Sequence, residues 1–188
     1  MNSFKIEGGF RLRGEIYPQG AKNEALQVIC ATLLTSQEVI IDNVPNIRDV
    51  NNLIDLLTSF GVETSNLGGN SWKFKAENLN LDYLQTEKFL KSGASLRGSI
   101  MIMGPLLARF GTVCMPKPGG DKIGRRRLDT HFFGFEKLGA NFDYEYSKNF
   151  YRLFSKGLKG AYMHLDEASV TGTANIIMAA ALAEGLTT

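Results

Sequence analysis

One arrangement of residues occurs twice in this chain and begins a third time, and it limits the possible folds more than any other feature. Residues 31–63 and 104–143 each contain, in the same order, a helix end with paired leucines, a strand, a proline, an aspartate, a second helix, a glycine and a further strand. Leu34, Leu107 and Leu182 lie 73 and 75 residues apart at equivalent points of the copies. Such repetition indicates a chain built from one structural unit. The pattern predicts an α/β (α+β) fold with two whole βαβαββ units and an incomplete third repeat.

The third copy of the unit ends soon after its first helix. The stretch Ile176–Thr188 matches the opening of the other copies and then stops. A unit that ends at this point leaves an unpaired strand edge and an exposed apolar face. We therefore expect the chain to be a fragment of a longer protein, unless residues 1–16 or a partner chain supply the missing strands.

The hydrophobic pattern assigns most of each unit to helices or strands, because helical spacing and strict alternation leave different traces in a sequence. One predicted helix opens at Gly20–Asn23. The other predicted helices are Val50–Phe60 with Asp49 as its cap, an irregular Leu79–Leu90, Gly93–Leu107, Thr130–Leu138 and Ser169–Ala183. The predicted strands are two short ones within Phe4–Ile16, then Glu38–Val44, Val62–Ser65, Trp72–Ala76, Thr112–Met115, Asn141–Tyr146, Phe150–Phe154 and Tyr162–Leu165.

Composition excludes several classes of protein. A net charge of +2 does not call for nucleic acid or an acidic membrane as a partner, and no apolar run approaches the ~18 residues of a membrane span. The two cysteines, Cys30 and Cys114, have no metal-ligand spacing. We expect a cytoplasmic protein without a metal, with Cys114 a buried and unreactive thiol in a strand.

The stretch Lys117–Thr130 combines the features of an anion-binding loop. It carries the glycine pair Gly119-Gly120, a single acid at Asp121, three consecutive arginines at 125–127 and a formal charge of +3. Paired glycines allow backbone amides to approach an anion, and arginine side chains match phosphate or carboxylate geometry. Asp121 in this setting is a candidate for proton transfer to an anionic substrate. The alternative is a solvated basic turn.

A second candidate site lies at the predicted helix that opens near Lys22 and Asn23. A helix N-terminus attracts anions, and a lysine there adds a positive charge. The alternative is that Asn23 only caps the helix and that Lys22 is only a surface residue.

Six short stretches, taken together, resemble one family. They are GAKNEAL at 20–26, NVPNIRDV at 43–50, GPLLARFG at 104–111, PGGDKIG at 118–124, LDTH at 128–131 and SVTGT at 169–173. In this order and spacing they resemble the enolpyruvyl transferases that act on UDP-N-acetylglucosamine in peptidoglycan synthesis. The resemblance implies an inside-out α/β barrel domain made of three βαβαββ units. It also implies that residues 1–16 are strands packing on another domain, that 17–188 form most of one domain, and that a second domain is missing.

The resemblance implies transfer of the enolpyruvyl group of phosphoenolpyruvate to the 3-hydroxyl of UDP-N-acetylglucosamine, with phosphate release and no cofactor. Asp121, where most members have cysteine, would be the general acid, which implies resistance to fosfomycin because that epoxide alkylates the cysteine. The residues implied to bind phosphoenolpyruvate are Lys22, Asn23 and Arg126. Those implied to bind the UDP-sugar are Asn23, Arg97, Arg126, Arg127, Leu128, Asp129, Thr130, Ser169 and Val170.

Two residues depart from the family pattern. Arg127 stands where proline is common, and Glu167 stands where a basic residue near the diphosphate is common. Glu167 would repel a diphosphate unless its side chain points away or Arg125 or Arg127 compensates its charge. The competing interpretations are the sister enzyme that acts on shikimate 3-phosphate and a non-catalytic domain that binds an anion or RNA. As an isolated fragment, the 188-residue chain is expected to have no turnover.

Overall fold

The computed structural model describes residues 3–119 and 127–188, which form six α-helices and six β-strands. The helices are α1 (Lys22–Ala31), α2 (Arg48–Ser59), α3 (Glu87–Ser95), α4 (Met103–Phe110), α5 (Asp129–Lys137) and α6 (Val170–Ala180). The strands are β1 (Glu38–Ile41), β2 (Glu63–Gly68), β3 (Ser71–Lys75), β4 (Thr112–Pro116), β5 (Asn141–Glu145) and β6 (Phe150–Phe154). Short 3₁₀ helices occur at Thr32–Leu34, Leu81–Gln85 and Arg97–Ile102.

The strands form two three-stranded sheets of identical topology. Their orders are β1-β3-β2 and β4-β6-β5, and every hydrogen-bonded pair is antiparallel. Val39 pairs with Phe74 in the first sheet, and Val113 pairs with Leu153 at the equivalent place in the second. The two outer strands of each sheet, β1 and β2 or β4 and β5, therefore run in the same direction. The second strand of each hairpin lies between them.

The two sheets confirm the internal repeat. The first unit contains α1, β1, α2 and the β2-β3 hairpin; the second contains α4, β4, α5 and the β5-β6 hairpin; α6 begins the third. Each unit has three strands within the described residues, whereas the sequence pattern predicted four, and no closed barrel forms among those residues. The predicted hairpins and the α/β class are correct.

The helices pack on the sheets through the faces that their periodicity predicts. In α2 the buried side chains include Val50, Leu53 and Leu57, which recur at helical spacing, and Phe60 follows at its end. The Phe60 ring meets the Phe89 ring edge-on, with centroids 5.8 Å apart. Within the described chain, no helix is long and apolar enough to cross a lipid bilayer.

Arg109 links the second unit to the first. Its guanidinium donates to the carbonyl oxygens of Leu33 at 3.2 Å, Thr35 at 3.1 Å and Ala76. Each of these acceptors lies at least 33 residues away in sequence. A planar cation with several donors can hold several carbonyl groups, so α4 is tied to the 3₁₀ turn after α1 and to the residue that follows β3.

The predicted single helix at Gly93–Leu107 is wrong, because three elements occupy this region. Helix α3 ends at Ser95, Leu96 takes an extended conformation (φ −120°, ψ 118°), and a 3₁₀ helix then leads into α4. The Ser99 hydroxyl lies within hydrogen-bond distance of the carbonyl oxygens of Gly93 and Leu96. Both carbonyl groups lie at the interruption of the helix around Leu96, where the hydroxyl can add a hydrogen bond to one of them. Pro105 lies in the first turn of α4, where a missing N–H costs nothing, so it begins a helix instead of ending one.

Two predicted strand regions are also wrong. Residues 3–19 contain neither helix nor strand, and apolar side chains there, such as Phe4 and Leu12, are more than 90% exposed. Within Tyr162–Leu165 only Met163 pairs with the neighbouring chain, donating to the Thr188 carbonyl oxygen, and the Thr188 N–H donates to Ala161 just before the segment. Residues 3–19 have no strand partner among the described residues. Residues 158–163 do pair with residues 184–188 around a parallel bridge between Lys159 and Glu184, but this pairing ends at Met163 and leaves most of Tyr162–Leu165 unpaired.

The predicted helix caps differ as well. Asp49 lies in the first turn of α2, and Ile47, which cannot cap with its side chain, precedes the helix. Asn23 likewise lies inside α1, behind Ala21. Both polar side chains are therefore available for other contacts.

Candidate functional site

A polar cleft of about 920 Å³ lies where the two whole units and the start of the third meet. Most of its lining comes from five short segments that are distant in sequence. They are Lys22, Asn23 and Leu26; Arg48, Asp49 and Asn52; the stretch from Ser95 to Gly98 with Ile100; Arg127; and the stretch from Glu167 to Thr171.

Three helices begin at this cleft. The first turns of α1, α2 and α6 contribute Lys22, Arg48 and Val170 to its lining. Neither α1 nor α2 has a side-chain cap, so their first backbone N–H groups keep no acceptor from a capping side chain. Unpaired N–H groups and the positive ends of helix dipoles favour a bound anion, so this arrangement suits a ligand with several negative charges.

The third helix, α6, differs because it is capped. The Ser169 hydroxyl oxygen accepts a hydrogen bond of 3.2 Å from the Gly172 N–H. Val170, directly after this cap, is 71% exposed at the cleft. The predicted pair Ser169 and Val170 therefore reaches the cleft, but the Ser169 oxygen is already occupied by its own helix.

Carboxylates pair with at least two of the cations of the cleft. The Lys22 ammonium lies 2.9 Å from an oxygen of Asp49. Arg48 and Arg97 add two further positive charges to the lining, and one Nη of Arg97 donates to the carbonyl oxygen of Arg127 at 3.2 Å. An anionic ligand must therefore compete with Asp49 for Lys22.

Arg127 is held by three carboxylates. Its Nε donates to Asp129 at 2.7 Å, one Nη donates to Asp166 at 3.2 Å, and Glu167 lies 4.0 Å from the other Nη. The hydrogen bond and positive charge of Arg127 hold the pKa of Asp129 below its usual value. The Thr130 hydroxyl also donates to Glu167 at 3.1 Å. The unusual acid at 167 is thus compensated by Arg127, one of the two arginines that the sequence suggested.

The remaining predicted residues divide into three groups. Leu128 and Thr130 are buried beside the start of α5 and do not line the cleft, while Asp129 is exposed and paired with Arg127. Lys22, Asn23, Arg97 and Arg127 are brought together by the cleft. Asp121 and Arg126 lie outside the described residues.

Sequence reasoning missed two polar side chains, Arg48 and Asn52, that also line the cleft. They are four residues apart in the first turns of α2, so they share one face of that helix. The missed signal was the NIRDV segment, whose charged residues directly precede the apolar face of the helix.

Two observations concern other types of chemistry. Among the residues that the structure describes, no three histidine, cysteine, aspartate or glutamate side chains lie close enough together to hold a metal ion. Trp72 is half-buried and stacks on Phe74 with ring centroids 6.4 Å apart, as expected for a packing residue.

We expect neither Cys30 nor Cys114 to react with iodoacetamide in the native protein, because both are buried. Burial raises the pKa of each thiol, and at Cys114 it outweighs the opposing effect of Arg152. Mass spectrometry after short labelling should find no adduct on the native chain and two on the denatured chain. Rapid labelling of Cys114 in the native state would contradict this expectation.

Comparison with known proteins shows the family to which the chain belongs. A family model described as EPSP synthase (3-phosphoshikimate 1-carboxyvinyltransferase) matches residues 6–188. The chain belongs to the EPSP synthase family. This membership confirms the resemblance to enolpyruvyl transferases that the six short motifs indicated.

Curated members of this family resemble the whole chain. A UDP-N-acetylglucosamine 1-carboxyvinyltransferase of Bacteroides thetaiotaomicron is 61% identical over 188 residues, and one of Porphyromonas gingivalis is 58% identical. Each match covers all of this chain but only 43% of the relative. The chain therefore spans less than half the length of these relatives.

Solved structures of the family share the fold. The crystal structure of the enolpyruvyl transferase NikO from Streptomyces tendae superposes with a TM-score of 0.74 at 16% identity, over 96% of this chain and 41% of that one. An EPSP synthase from Acinetobacter baumannii gives 0.65 at 17% identity, over 92% and 39%. The chain thus has the fold of enolpyruvyl transferases.

Proposed function

We propose that this chain supplies one substrate-binding half of a UDP-N-acetylglucosamine 1-carboxyvinyltransferase. The enzyme transfers enolpyruvyl from phosphoenolpyruvate to the 3-hydroxyl of UDP-N-acetylglucosamine and releases phosphate. The observation that carries the proposal is the cleft, where three helix N-termini and the side chains of Lys22, Arg48, Arg97 and Arg127 surround a space suited to a polyanion. The names and identities of the curated relatives support the choice of substrate.

The residues that the resemblance implied divide between the two substrates. Lys22 and Asn23 bind phosphoenolpyruvate, with Arg126 holding its phosphate. Arg97, together with Ser169 and Val170 at the start of α6, meets the diphosphate of the sugar nucleotide.

Three residues would hold the uridine. Leu128, Asp129 and Thr130 follow Arg127 at the start of α5, where Asp129 is the exposed member. Arg127, held by Asp129 and Asp166, would position this segment beside the nucleotide.

Asp121 is the proposed general acid that protonates the methylene carbon of phosphoenolpyruvate. A carboxyl group donates a proton near neutral pH only if its surroundings raise its pKa, which burial or the negative charge of the bound substrate would do. The reaction would take place in the cytoplasm, with a second domain completing the site.

A chimera tests the proposal directly. In it, these 188 residues replace the matching residues of the Bacteroides thetaiotaomicron relative, and phosphate release is measured with both substrates. We expect turnover by the chimera and none by the 188-residue chain alone. A folded chimera that is inactive with UDP-N-acetylglucosamine would contradict the proposal, and turnover with shikimate 3-phosphate would identify the sister enzyme.

Within the chimera, we expect Lys22→Ala to lower kcat/KM for phosphoenolpyruvate by about ten- to a hundredfold, the range for losing a hydrogen bond to a charged group. Lys73→Ala is the matched control, because Lys73 also pairs with a carboxylate, Glu38 at 3.1 Å, but lies on β3 outside the cleft. If the two substitutions lowered kcat/KM equally, Lys22 would not be a phosphoenolpyruvate-binding residue.

We expect the chimera to keep its activity during incubation with fosfomycin, because a carboxylate at position 121 is a weaker nucleophile than a thiolate towards an epoxide. Asp121→Cys should make inactivation time-dependent, while Asp82→Cys on the exposed 3₁₀ helix Leu81–Gln85 serves as the control thiol. Time-dependent inactivation of the unsubstituted chimera would overturn the assignment of Asp121.

A further inference from the structure

A buried amide joins α6 to α4, to α5 and to the 3₁₀ helix Arg97–Ile102. Asn175 of α6 is fully buried, and its Oδ1 accepts a hydrogen bond of 2.8 Å from the Gly104 N–H. Its Nδ2 donates to the carbonyl oxygen of Ile100 at 2.9 Å and lies 3.0 Å from Nδ1 of His131. All of its polar atoms therefore have partners.

The partners determine how the amide and the imidazole are oriented. The Gly104 N–H can only donate, so the oxygen of Asn175 must face it and the NH₂ group must face Ile100 and His131. Nδ1 of His131 is then the acceptor, and the imidazole proton is on Nε2. His131 is itself buried, so the network is sealed from water.

The network adjoins the cleft through Ile100, which is one of its lining residues. Ile100 is three residues after Arg97, His131 is four residues after Arg127, and Asn175 is five residues after Val170. Arg127 lies just before α5, and the other two offsets are about one to one and a half helical turns. A shift at the amide would therefore displace the start of all three elements.

We infer that Asn175 is a positioning residue of the cleft, which fixes the starts of the 3₁₀ helix Arg97–Ile102, of α5 and of α6 relative to one another. The inference rests on the proposed function only for the identity of the ligand. It concerns the geometry of the cleft, which can be measured without turnover.

Packing alone does not require an amide at this place. Apolar side chains fill most of the interior, and a buried polar network is stabilising only when all of its members are satisfied. The helices also approach closely here: a Cβ on Gly172 would lie 2.9 Å from Cγ2 of Thr130. Directional bonds across such a junction select one relative position of the helices, which apolar contacts do not.

Amide hydrogen exchange on the 188-residue chain tests the inference. Asn175→Ala should speed the exchange of the Gly172, Ser99 and His131 amides by about tenfold more than that of the Asn80 amide, which pairs with Phe60 away from the cleft. Leu153→Ala, a buried change on β6, is the matched control and should speed all four through global unfolding. If Asn175→Ala also affected all four equally, the inference would be wrong.

A second variant tests the polarity of the network. Asn175→Asp keeps an oxygen that accepts from the Gly104 N–H, but it replaces the NH₂ donor with a second carboxylate oxygen. Nδ1 of neutral His131 is an acceptor, so it then faces another acceptor instead of a donor. The introduced carboxylate favours protonation of His131, although the positive charge of Arg97 opposes it. Protection of the Gly172 amide should therefore increase as pH falls in this variant, and its decrease or constancy would contradict the inference.

The imidazole itself gives a spectroscopic readout. In the unsubstituted chain at pH 7, ¹⁵N spectra should show His131 with a protonated Nε2 and an unprotonated Nδ1. Asn175→Ala should abolish this preference, while Leu153→Ala retains it. A ring spectrum unchanged by Asn175→Ala would overturn the inference.

Discussion

Lowering the pH from about 6.5 to about 4 should reduce the free energy of unfolding by about 3 kcal/mol through His131 alone. Burial, aided by the positive charge of Arg97, lowers the pKa of His131 to about 4. Between these pH values the unfolded chain binds a proton that the folded chain excludes, so stability falls as pH falls. Below about pH 4 both states are protonated, and this contribution no longer changes.

Urea unfolding at several pH values measures this effect against two variants. His131→Asn keeps an acceptor near the position of Nδ1 but cannot titrate, so its stability should depend less on pH over this range. The chain has one other histidine, the exposed His164, and His164→Asn should retain the pH dependence of the unsubstituted chain. Carboxylates that titrate over the same range contribute equally to all three proteins. Parallel profiles for all three would show that His131 is not the source.

Gly104→Ala should destabilise the chain by about 3 kcal/mol, combining overpacking with loss of a buried hydrogen bond. A Cβ at this position would lie 2.4 Å from both the backbone oxygen and Oδ1 of Asn175. The backbone oxygen belongs to α6 and cannot move without shifting that helix. The same change also disturbs the bond from the Gly104 N–H to Asn175.

Two other glycines give a graded comparison. A Cβ at Gly134 would lie 2.2 Å from side-chain atoms of Ile176, which can change rotamer, so Gly134→Ala should cost less than Gly104→Ala. Gly8 has open space around it, and Gly8→Ala should be close to neutral. Denaturant midpoints should therefore follow this order. A midpoint for Gly104→Ala equal to that of Gly8→Ala would show that α4 and α6 do not pack as closely as described.

The position of the cleft follows from the repeat. Helices α1 and α2 come from the first unit, the 3₁₀ helix Arg97–Ile102 leads into the second, and α6 begins the third. Helices α1 and α6 hold equivalent places in their units and α2 follows α1 in the first unit, and packing of the units brings these three N-termini together. A site for a polyanion is thus a consequence of stacking the units, to which individual side chains then add charge.

Much of the fold could be predicted from local patterns. The face of α2, both hairpins and strand β4 were correct, because helical or alternating periodicity and turn glycines act over a few residues. Gly61 and Gly139 end their helices at positive φ, where glycine carries no steric penalty. The predictions failed where an element depends on a partner, as for the strands within residues 3–19.

The candidate site was predictable only in part. Lys22 and Arg97 were implied by the family resemblance and do line the cleft, whereas Arg48 was missed although it lies in the NIRDV segment that carries part of that resemblance. The break at Leu96 was also missed, since the flanking apolar residues continue a helical pattern across it.

The sequence by itself determined the repeated unit, the family and the types of residue available to bind an anion, because these depend on the order of residues along the chain. Only the tertiary structure decided which charges meet. Arg127 reaches Asp166 across 39 residues, and Asn175 reaches His131 across 44. Electrostatic and hydrogen-bond energies depend on the distance between atoms in space, and that distance is set when the units pack against one another.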